Sequence, residues 1–143
     1  MKVRIMTLED YEKVYSLWSS GPGIGLRSLD DSEAGIKSFL NRNPRTCFVA
    51  ELGGELAGTI LSGHDGRRAY IYHLAVGPEY RRQGIGRALA GAVEEAMRGE
   101  GINKIALVAF KTNTGGNGFW EKLGFAERKD LVYRDKSVNR ENL

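Results

Sequence analysis

The chain has 143 residues, of which 41% are hydrophobic and 27% charged, with a formal net charge of +3 at pH 7. These values are typical of one globular domain, and the mild positive charge does not require a nucleic-acid partner. The N-terminus lacks the apolar run of a signal peptide, and no apolar stretch reaches the roughly 18 residues of a membrane span, so we expect a cytoplasmic protein without membrane contact.

Hydrophobic spacing and turn residues predict the secondary structure in chain order. The first half is predicted to hold a strand at residues 3–6, a helix from Thr7 to about Ser19, a glycine-rich loop, and a second helix that Asp31 or Ser32 can cap and that ends near Asn41. Strands are predicted at residues 46–52, 55–62 and 69–76, with Gly53-Gly54 as a hairpin turn. The second half is predicted to hold a helix at 85–99, a strand at 104–110, a helix at 113–122, one or two strands within 126–134, and a frayed polar tail at 135–143.

This order begins with antiparallel hairpins and ends with a strand–helix–strand unit, without an internal repeat or a linker. It predicts one α+β domain over residues 1–143, with the motif-bearing part within about 2–134. The single cysteine, Cys47, lies in an apolar run, and we expect it to be a buried core thiol.

A basic, glycine-containing turn joins the strand at 69–76 to the helix at 85–99. The first N–H groups of a helix have no partner within the helix, and the helix dipole adds positive potential there, so phosphate is a natural ligand. Gly84 and Gly86 allow a ligand to approach the backbone, and Arg81, Arg82 and Arg87 attract an anion. A solvated basic turn is the alternative. A Walker A loop is absent, and Leu89 occupies the third glycine position of a dinucleotide fingerprint.

Two motifs carry a resemblance to a known family. The pattern Arg81-x-x-Gly84-x-Gly86, preceded by "LAVGPEY" and followed by an amphipathic helix, resembles the acetyl-CoA signature of the GNAT N-acyltransferase superfamily. The later stretch "NTGGNGFWEKLGF", residues 113–125, resembles the second hallmark of the family. The stretch "GHDGRRAYIYHLAV" is similar to the small bacterial YpeA-like subgroup. The resemblance covers about residues 2–130, and the motifs occur in the expected order.

The resemblance implies a mixed, mostly antiparallel central sheet with helices on both faces and a splayed strand pair that holds the arm of acetyl-CoA. Backbone N–H groups of the signature loop would hold the pyrophosphate; the residues of this loop are Arg81, Arg82, Gln83, Gly84, Ile85, Gly86 and Arg87. The strand residues Leu74, Ala75 and Val76 would line the pantetheine arm, with the Val76 N–H facing the thioester oxygen as an oxyanion donor. Asn113 and Trp120 would also contact the cofactor, although Asn113 is equally a good N-cap residue.

The activity that the resemblance implies is transfer of acetyl from acetyl-CoA to a primary amine, by direct attack in a ternary complex. Relatives often place a tyrosine general acid where this chain has Trp120, and an indole N–H does not transfer a proton usefully. Tyr133, expected in the C-terminal strands, is a substitute candidate. A catalytically weak CoA-binding or sensory module of the same fold is therefore the alternative function.

Candidate bases lie on the strand at 69–76. Strict alternation would put Tyr70, Tyr72 and Leu74 on one face and His73 on the other, unless a bulge reverses the pattern. Tyrosines are poor bases near neutral pH but can order a water molecule, whereas imidazoles have an ordinary pKa of about 6.5. His73 is thus a candidate base or a buried, hydrogen-bonded histidine, and His64 could reach the acceptor mouth or lie in a solvated turn.

The expected partners are acetyl-CoA and a small-molecule or peptide amine. An α-amino group is roughly a tenth neutral at pH 7, while a lysine amine is neutral only about a few times in ten thousand, so a low-pKa amine fits a site without a carboxylate base. One cysteine and two histidines offer no metal-ligand spacing, so no metal is expected. A homodimer is compatible with the sequence.

Overall fold

A meander of four antiparallel strands followed by one parallel strand organises the protein, seen here in a computed structural model that describes residues 1–21 and 23–143. The strands lie in the order β1-β2-β3-β4-β5, with β4 and β5 parallel. The elements are β1 (Lys2–Ile5), α1 (Tyr11–Ser19), α2 (Glu33–Arg42), β2 (Phe48–Leu52), β3 (Glu55–His64), β4 (Ala69–Val76), α3 (Ile85–Gly99), β5 (Ile105–Leu107) and α4 (Thr114–Lys122). Short 3-10 turns at Leu8–Asp10 and Pro78–Tyr80 precede α1 and α3. The α+β fold predicted from the sequence is confirmed, and β5 is shorter than expected.

Helices cover both faces of this sheet, as the sequence predicted. On one face α3 buries an apolar stripe, which consists of Ile85, Leu89, Val93 and Met97 at helical spacing. Gly58 of β3 permits this close packing, because a Cβ there would lie 2.9 Å from Ile85 Cγ2. On the other face α1 and α2 bury a second cluster, whose largest fully buried members are Trp18, Ile36, Val14 and Val49.

Strand β4 contains a bulge that changes which side chains share a face. Its pairing with β3 shifts so that His73 lies opposite Leu61 while Ile71 lies opposite Ser62, which leaves Tyr72 as the extra residue. Ala75 accordingly packs with the cluster under α1, whereas Ile71 and Leu74 pack with the cluster under α3. The strict alternation predicted from the sequence is therefore wrong, and the bulge brings His73 to the face that Tyr70 and Tyr72 occupy.

The C-terminal part differs from the prediction. No strand forms within residues 126–143, all of which the structure describes. The stretch "ERKDLVYRDK" flanks three consecutive apolar residues with charges and does not alternate, so it has no apolar face to bury. Tyr133, expected in a strand, is 64% exposed.

The end of the chain is not frayed, contrary to the prediction. Ser28 N donates to Leu143 O at 2.7 Å, and Asn142 Oδ1 accepts from the N–H groups of Leu29 and Asp30. The last residues are therefore fixed against the loop that precedes α2. Among the helices that the structure describes, none combines the length and apolar character needed to cross a membrane.

Candidate functional site

A gap opens between β4 and β5 at the carboxyl ends of the two strands. Their parallel pairing ends at Ile71 and Leu107, although β4 continues to Val76. Gly77 N donates to Ala57 O at 2.8 Å, and the backbone groups of successive residues in an antiparallel pair point alternately toward and away from the partner. The backbone N–H and C=O groups of Leu74 and Val76 therefore point away from β3 and into the gap.

The basic turn lies beside this gap, at the N-terminus of α3. Arg82 has φ +63°, a left-handed conformation that costs a non-glycine residue about 1 to 2 kcal/mol. Gly84, the N-cap residue of α3, has φ +80°, and a Cβ built on it would point into open space. Left-handed residues next to the unpartnered N–H groups of a helix form a concave anion-binding backbone, so this turn has the geometry of a phosphate cradle.

Positive charge surrounds the turn. Arg81, Arg82 and Arg87 are all exposed, and Gln83 is exposed between them. Arg81 Nε donates to Val76 O at 3.5 Å, which links the turn to the end of β4. Arg81 thus lies at the end of β4 beside the gap, and the positive charge of all three arginines attracts an anionic ligand to the turn.

Gly86 has a packing role that the sequence did not reveal. A Cβ at this position would lie 3.2 Å from the ring of Phe119 in α4. Its missing side chain therefore lets α3 and α4 pack closely, and the predicted contact of its backbone with a ligand stays a prediction.

Asn113 caps α4. Its Oδ1 accepts from Gly116 N at 3.0 Å, which confirms the capping alternative. The loop between α1 and α2 reaches it, since a Cβ on Gly23 would lie 3.0 Å from Asn113 Nδ2. A cavity of about 220 Å³ lies between this loop and the start of α4, and Phe110 and Thr112 contribute to its lining. The cofactor contact of Asn113 stays a prediction.

Trp120 is part of the core. It is 9% exposed and packs edge to face against Phe119 and Phe125, with ring centroids 4.9 and 5.1 Å apart. Such pairs contribute about 0.5–1.5 kcal/mol beyond their area burial. The ring thus fixes α4 against the sheet, and its predicted contact with a cofactor is left to experiment.

The tyrosines predicted as acceptor-side residues lie together. The rings of Tyr70 and Tyr72 are 4.7 Å apart, and Phe39 of α2 meets Tyr72 at 5.5 Å. Burial raises the pKa of Tyr70 and of Tyr72, and the nearby Tyr133 raises both further. A raised pKa makes a phenol still less able to act as a base near neutral pH.

His73 makes a hydrogen bond that the sequence did not reveal. Its Nε2 lies 2.8 Å from Asp31 Oδ1, with both side chains largely buried, and its ring meets the edge of Trp18 at 4.9 Å. Asp31 Oδ2 accepts from Arg27 N at 2.7 Å, which fixes the carboxylate. Since an ionised carboxylate only accepts, we assign the imidazole proton to Nε2, and Nδ1 keeps its lone pair. A carboxylate-oriented imidazole has the arrangement of a general base.

Asp31 was expected only as a helix cap. Ser32 fills that role, because its Oγ accepts from Gly35 N at 3.0 Å. No local signal could have found the pairing of Asp31 with His73, since the two residues are 42 positions apart and only the fold joins them.

The structure does not bring His64 to the acceptor side. Its Nε2 lies 3.5 Å from Glu100 Oε1. The same oxygen accepts a hydrogen bond from Arg45 Nη2 at 3.1 Å. The expectation that His64 reaches the acceptor mouth is therefore wrong, because it pairs with the C-terminal end of α3.

Cys47 is a core thiol, as predicted. It is 1% exposed, and burial raises the pKa of its thiol to about 12. It is therefore not a nucleophile. Within residues 1–21 and 23–143, no group of three or more histidine, cysteine, aspartate or glutamate side chains could hold a metal ion.

Comparisons with known proteins agree with this geometry. The model of the acetyltransferase (GNAT) family matches residues 11–125. An acetyltransferase of Pectobacterium atrosepticum is 36% identical over 138 residues, which cover 96% of each chain. An aminoglycoside acetyltransferase from an uncultured soil metagenomic sample has a similar fold, with a TM-score of 0.73, 23% identity and 96% coverage of both chains. Rv2747 of Mycobacterium tuberculosis, solved in complex with CoA, has a TM-score of 0.72 and 21% identity, with coverage of 90% of this chain and 74% of the other.

Proposed function

This chain belongs to the acetyltransferase (GNAT) family, and we propose that it transfers the acetyl group of acetyl-CoA to a primary amine by direct attack in a ternary complex. One observation carries the proposal. A strand gap, into which backbone groups of β4 point, lies directly beside a basic turn with two left-handed residues at the start of α3. The stretch "GHDGRRAYIYHLAV" further supports placing the chain near the YpeA-like subgroup.

The residues at the gap fit CoA. The pyrophosphate would bind the backbone of residues 82–87, because left-handed Arg82 and Gly84 leave those N–H groups accessible. The pantetheine arm would extend along β4, where the backbone groups of Leu74 and the Val76 N–H point away from β3 and could pair with it in the manner of an added strand. Acetyl-CoA supplies an activated acyl group in the form of a thioester.

The transfer has three requirements: a donor for the oxyanion, a base for the acceptor and a stable leaving group. The Val76 N–H, directed into the gap, would donate a hydrogen bond to the oxygen that gains negative charge. His73, held by Asp31, would accept a proton from the ammonium form of the acceptor, directly or through one water molecule. A thiol has an ordinary pKa of about 8.5, so the departing thiolate is a tolerable leaving group even without a tyrosine at position 120.

The second candidate function is a CoA-binding module with little catalysis. Trp120 favours it, because this side chain lies in the core and offers no hydroxyl to the leaving group. Tyr133 is exposed near Tyr70 and Tyr72, and its role as donor of such a proton stays a prediction. CoA binding without turnover of any amine in a broad panel would favour this alternative.

CoA is expected to stabilise the folded protein, since a ligand that binds only the native state must raise its stability. At a hundredfold excess over Kd the gain is about 2.7 kcal/mol, which corresponds to a rise of several degrees in Tm. The measurement is thermal unfolding with CoA, with acetyl-CoA and with adenine alone as the control. An unchanged Tm at millimolar CoA would contradict the proposed cofactor site.

A further inference from the structure

We propose that the amine acceptor carries a second positive charge and that a tyrosine cluster with Asp30 binds it. The tyrosine cluster consists of Tyr70, Tyr72 and Tyr133. This inference rests on the proposed function and names the substrate class of the same site: a diamine or polyamine in which one amino group reacts and another is held.

The rings of Tyr70 and Tyr72 offer aromatic faces to a cation. Tyr70 and Tyr72 lie 4.7 Å apart at an interplanar angle of 51°, so their rings form a corner, and Phe39 supports Tyr72 edge-on at 84°. Tyr72 is 52% exposed and Tyr133 is 64% exposed, which leaves aromatic surface open to solvent. An ammonium group over such faces is attracted by the ring quadrupole, and groups of aromatic rings are a general way to bind organic cations.

Asp30 provides the countercharge. It directly precedes Asp31, whose Oδ1 lies 2.8 Å from Nε2 of His73, the residue after Tyr72, and its carboxylate contributes to the raised pKa of the Tyr72 phenol. Asn142 Nδ2 donates to Asp30 Oδ2 at 2.8 Å, and Asn142 Oδ1 accepts from Asp30 N at 3.1 Å, so the end of the chain holds the aspartate in place. Asp30 Oδ1 takes no hydrogen bond from the residues that the structure describes, and it remains free to accept one from an ammonium group.

The tyrosine cluster lies close to His73, so the cation that it binds would be a second ammonium group of the acceptor itself. Tyr72 is the extra residue of the β4 bulge, directly before His73, so both side chains lie on the same face. If the reacting nitrogen of the acceptor lies at His73, an ammonium group a few bonds further along the acceptor would lie at Tyr72 and Asp30. A second charge also helps the chemistry, because two nearby ammonium groups lower the pKa of one another and so raise the neutral fraction.

The test compares two amines of equal chain length, butylamine and 1,4-diaminobutane, by steady-state acetylation. The variants are Tyr72→Leu, which removes the aromatic face, Tyr72→Phe, which keeps it without the hydroxyl, and Asp30→Asn. Glu55→Gln, at the exposed first residue of β3, is the matched control for loss of one negative charge.

We expect the wild type to prefer the diamine in kcat/KM by about tenfold or more, mainly through KM. Tyr72→Leu and Asp30→Asn should lose most of that preference, whereas Tyr72→Phe and Glu55→Gln should keep it. Tetramethylammonium, which cannot be acetylated, should inhibit competitively against the diamine and more weakly in Tyr72→Leu.

Equal kcat/KM for the two amines in the wild type, or a preference that survives Tyr72→Leu and Asp30→Asn, would overturn this inference. The proposed function would still stand in that case, since acetylation of butylamine and stabilisation by CoA report on it separately. If CoA neither binds nor supports acetylation of any amine, the proposed function fails, and the inference fails with it.

Discussion

Replacing His73 with alanine is expected to lower kcat for the preferred amine by about 10² to 10⁴, the usual contribution of a positioned base. The reason is the imidazole that Asp31 holds at 2.8 Å on the acceptor face of β4. CoA affinity should stay near that of the wild type, because the His73 ring packs against Trp18 of α1, whereas the basic turn begins α3 on the other face of the sheet. The measurement is kcat across pH together with the Kd for CoA.

Two further variants separate catalysis from packing. His73→Gln keeps a donor for Asp31 but not a base, so its rate should fall as far as that of His73→Ala while its thermal stability falls less. Asp31→Asn should give a smaller rate loss and an altered pH profile, because an amide no longer fixes the imidazole proton on Nε2. Wild-type kcat and an unchanged pH profile in His73→Gln would mean that water or another group takes the proton.

Replacing Gly84 with valine is expected to weaken CoA binding by about tenfold or more. The residue has φ +80°, and a left-handed conformation costs a side chain with a Cβ about 1–2 kcal/mol, more when the Cβ is branched. The added side chain would also point into the open space where the pyrophosphate is expected. Kd for CoA, measured by calorimetry at two salt concentrations, is the readout.

Arg82→Gly is the matched comparison. Glycine tolerates φ +63°, so this change removes the charge while keeping the backbone shape. Its loss of affinity should be smaller and should shrink further in moderate salt, because exposed charges are screened. An arginine effect that exceeds the glycine effect in moderate salt would contradict the backbone cradle. Gly86 is unsuitable for this test, since its Cβ would press on Phe119.

Most of the fold could be predicted because its signals are local. The apolar stripe of α3, Gly53-Gly54 between β2 and β3, and the capping of α4 by Asn113 all depend on neighbouring residues. The prediction of C-terminal strands was wrong. β-branched and aromatic residues such as Val132 and Tyr133 favour a strand, but the charged residues around them leave the segment without an apolar face to bury.

The candidate site could be predicted only where it lies in one segment. The turn at residues 81–87 is contiguous, so its glycines and arginines reveal it. The acceptor side is assembled from distant segments: Asp31 precedes α2, His73 follows a bulge in β4, and Asn142 reaches Asp30 from the end of the chain. A bulge inserts one extra residue into a strand, and no residue type in this stretch signals it. The sheet face on which His73 lies could therefore not be predicted from the alternation of side chains along β4.

We propose above all that the gap between β4 and β5 holds acetyl-CoA for transfer to an amine. The most direct test of this proposal is simultaneous measurement of CoA thiol release and acetylated amine, by thiol titration and mass spectrometry, with acetyl-CoA and 1,4-diaminobutane. Both products are expected to appear at equal rates, and Gly84→Val and His73→Gln are expected to slow both together. CoA thiol released at the same rate with and without amine, with no acetylated product, would contradict it.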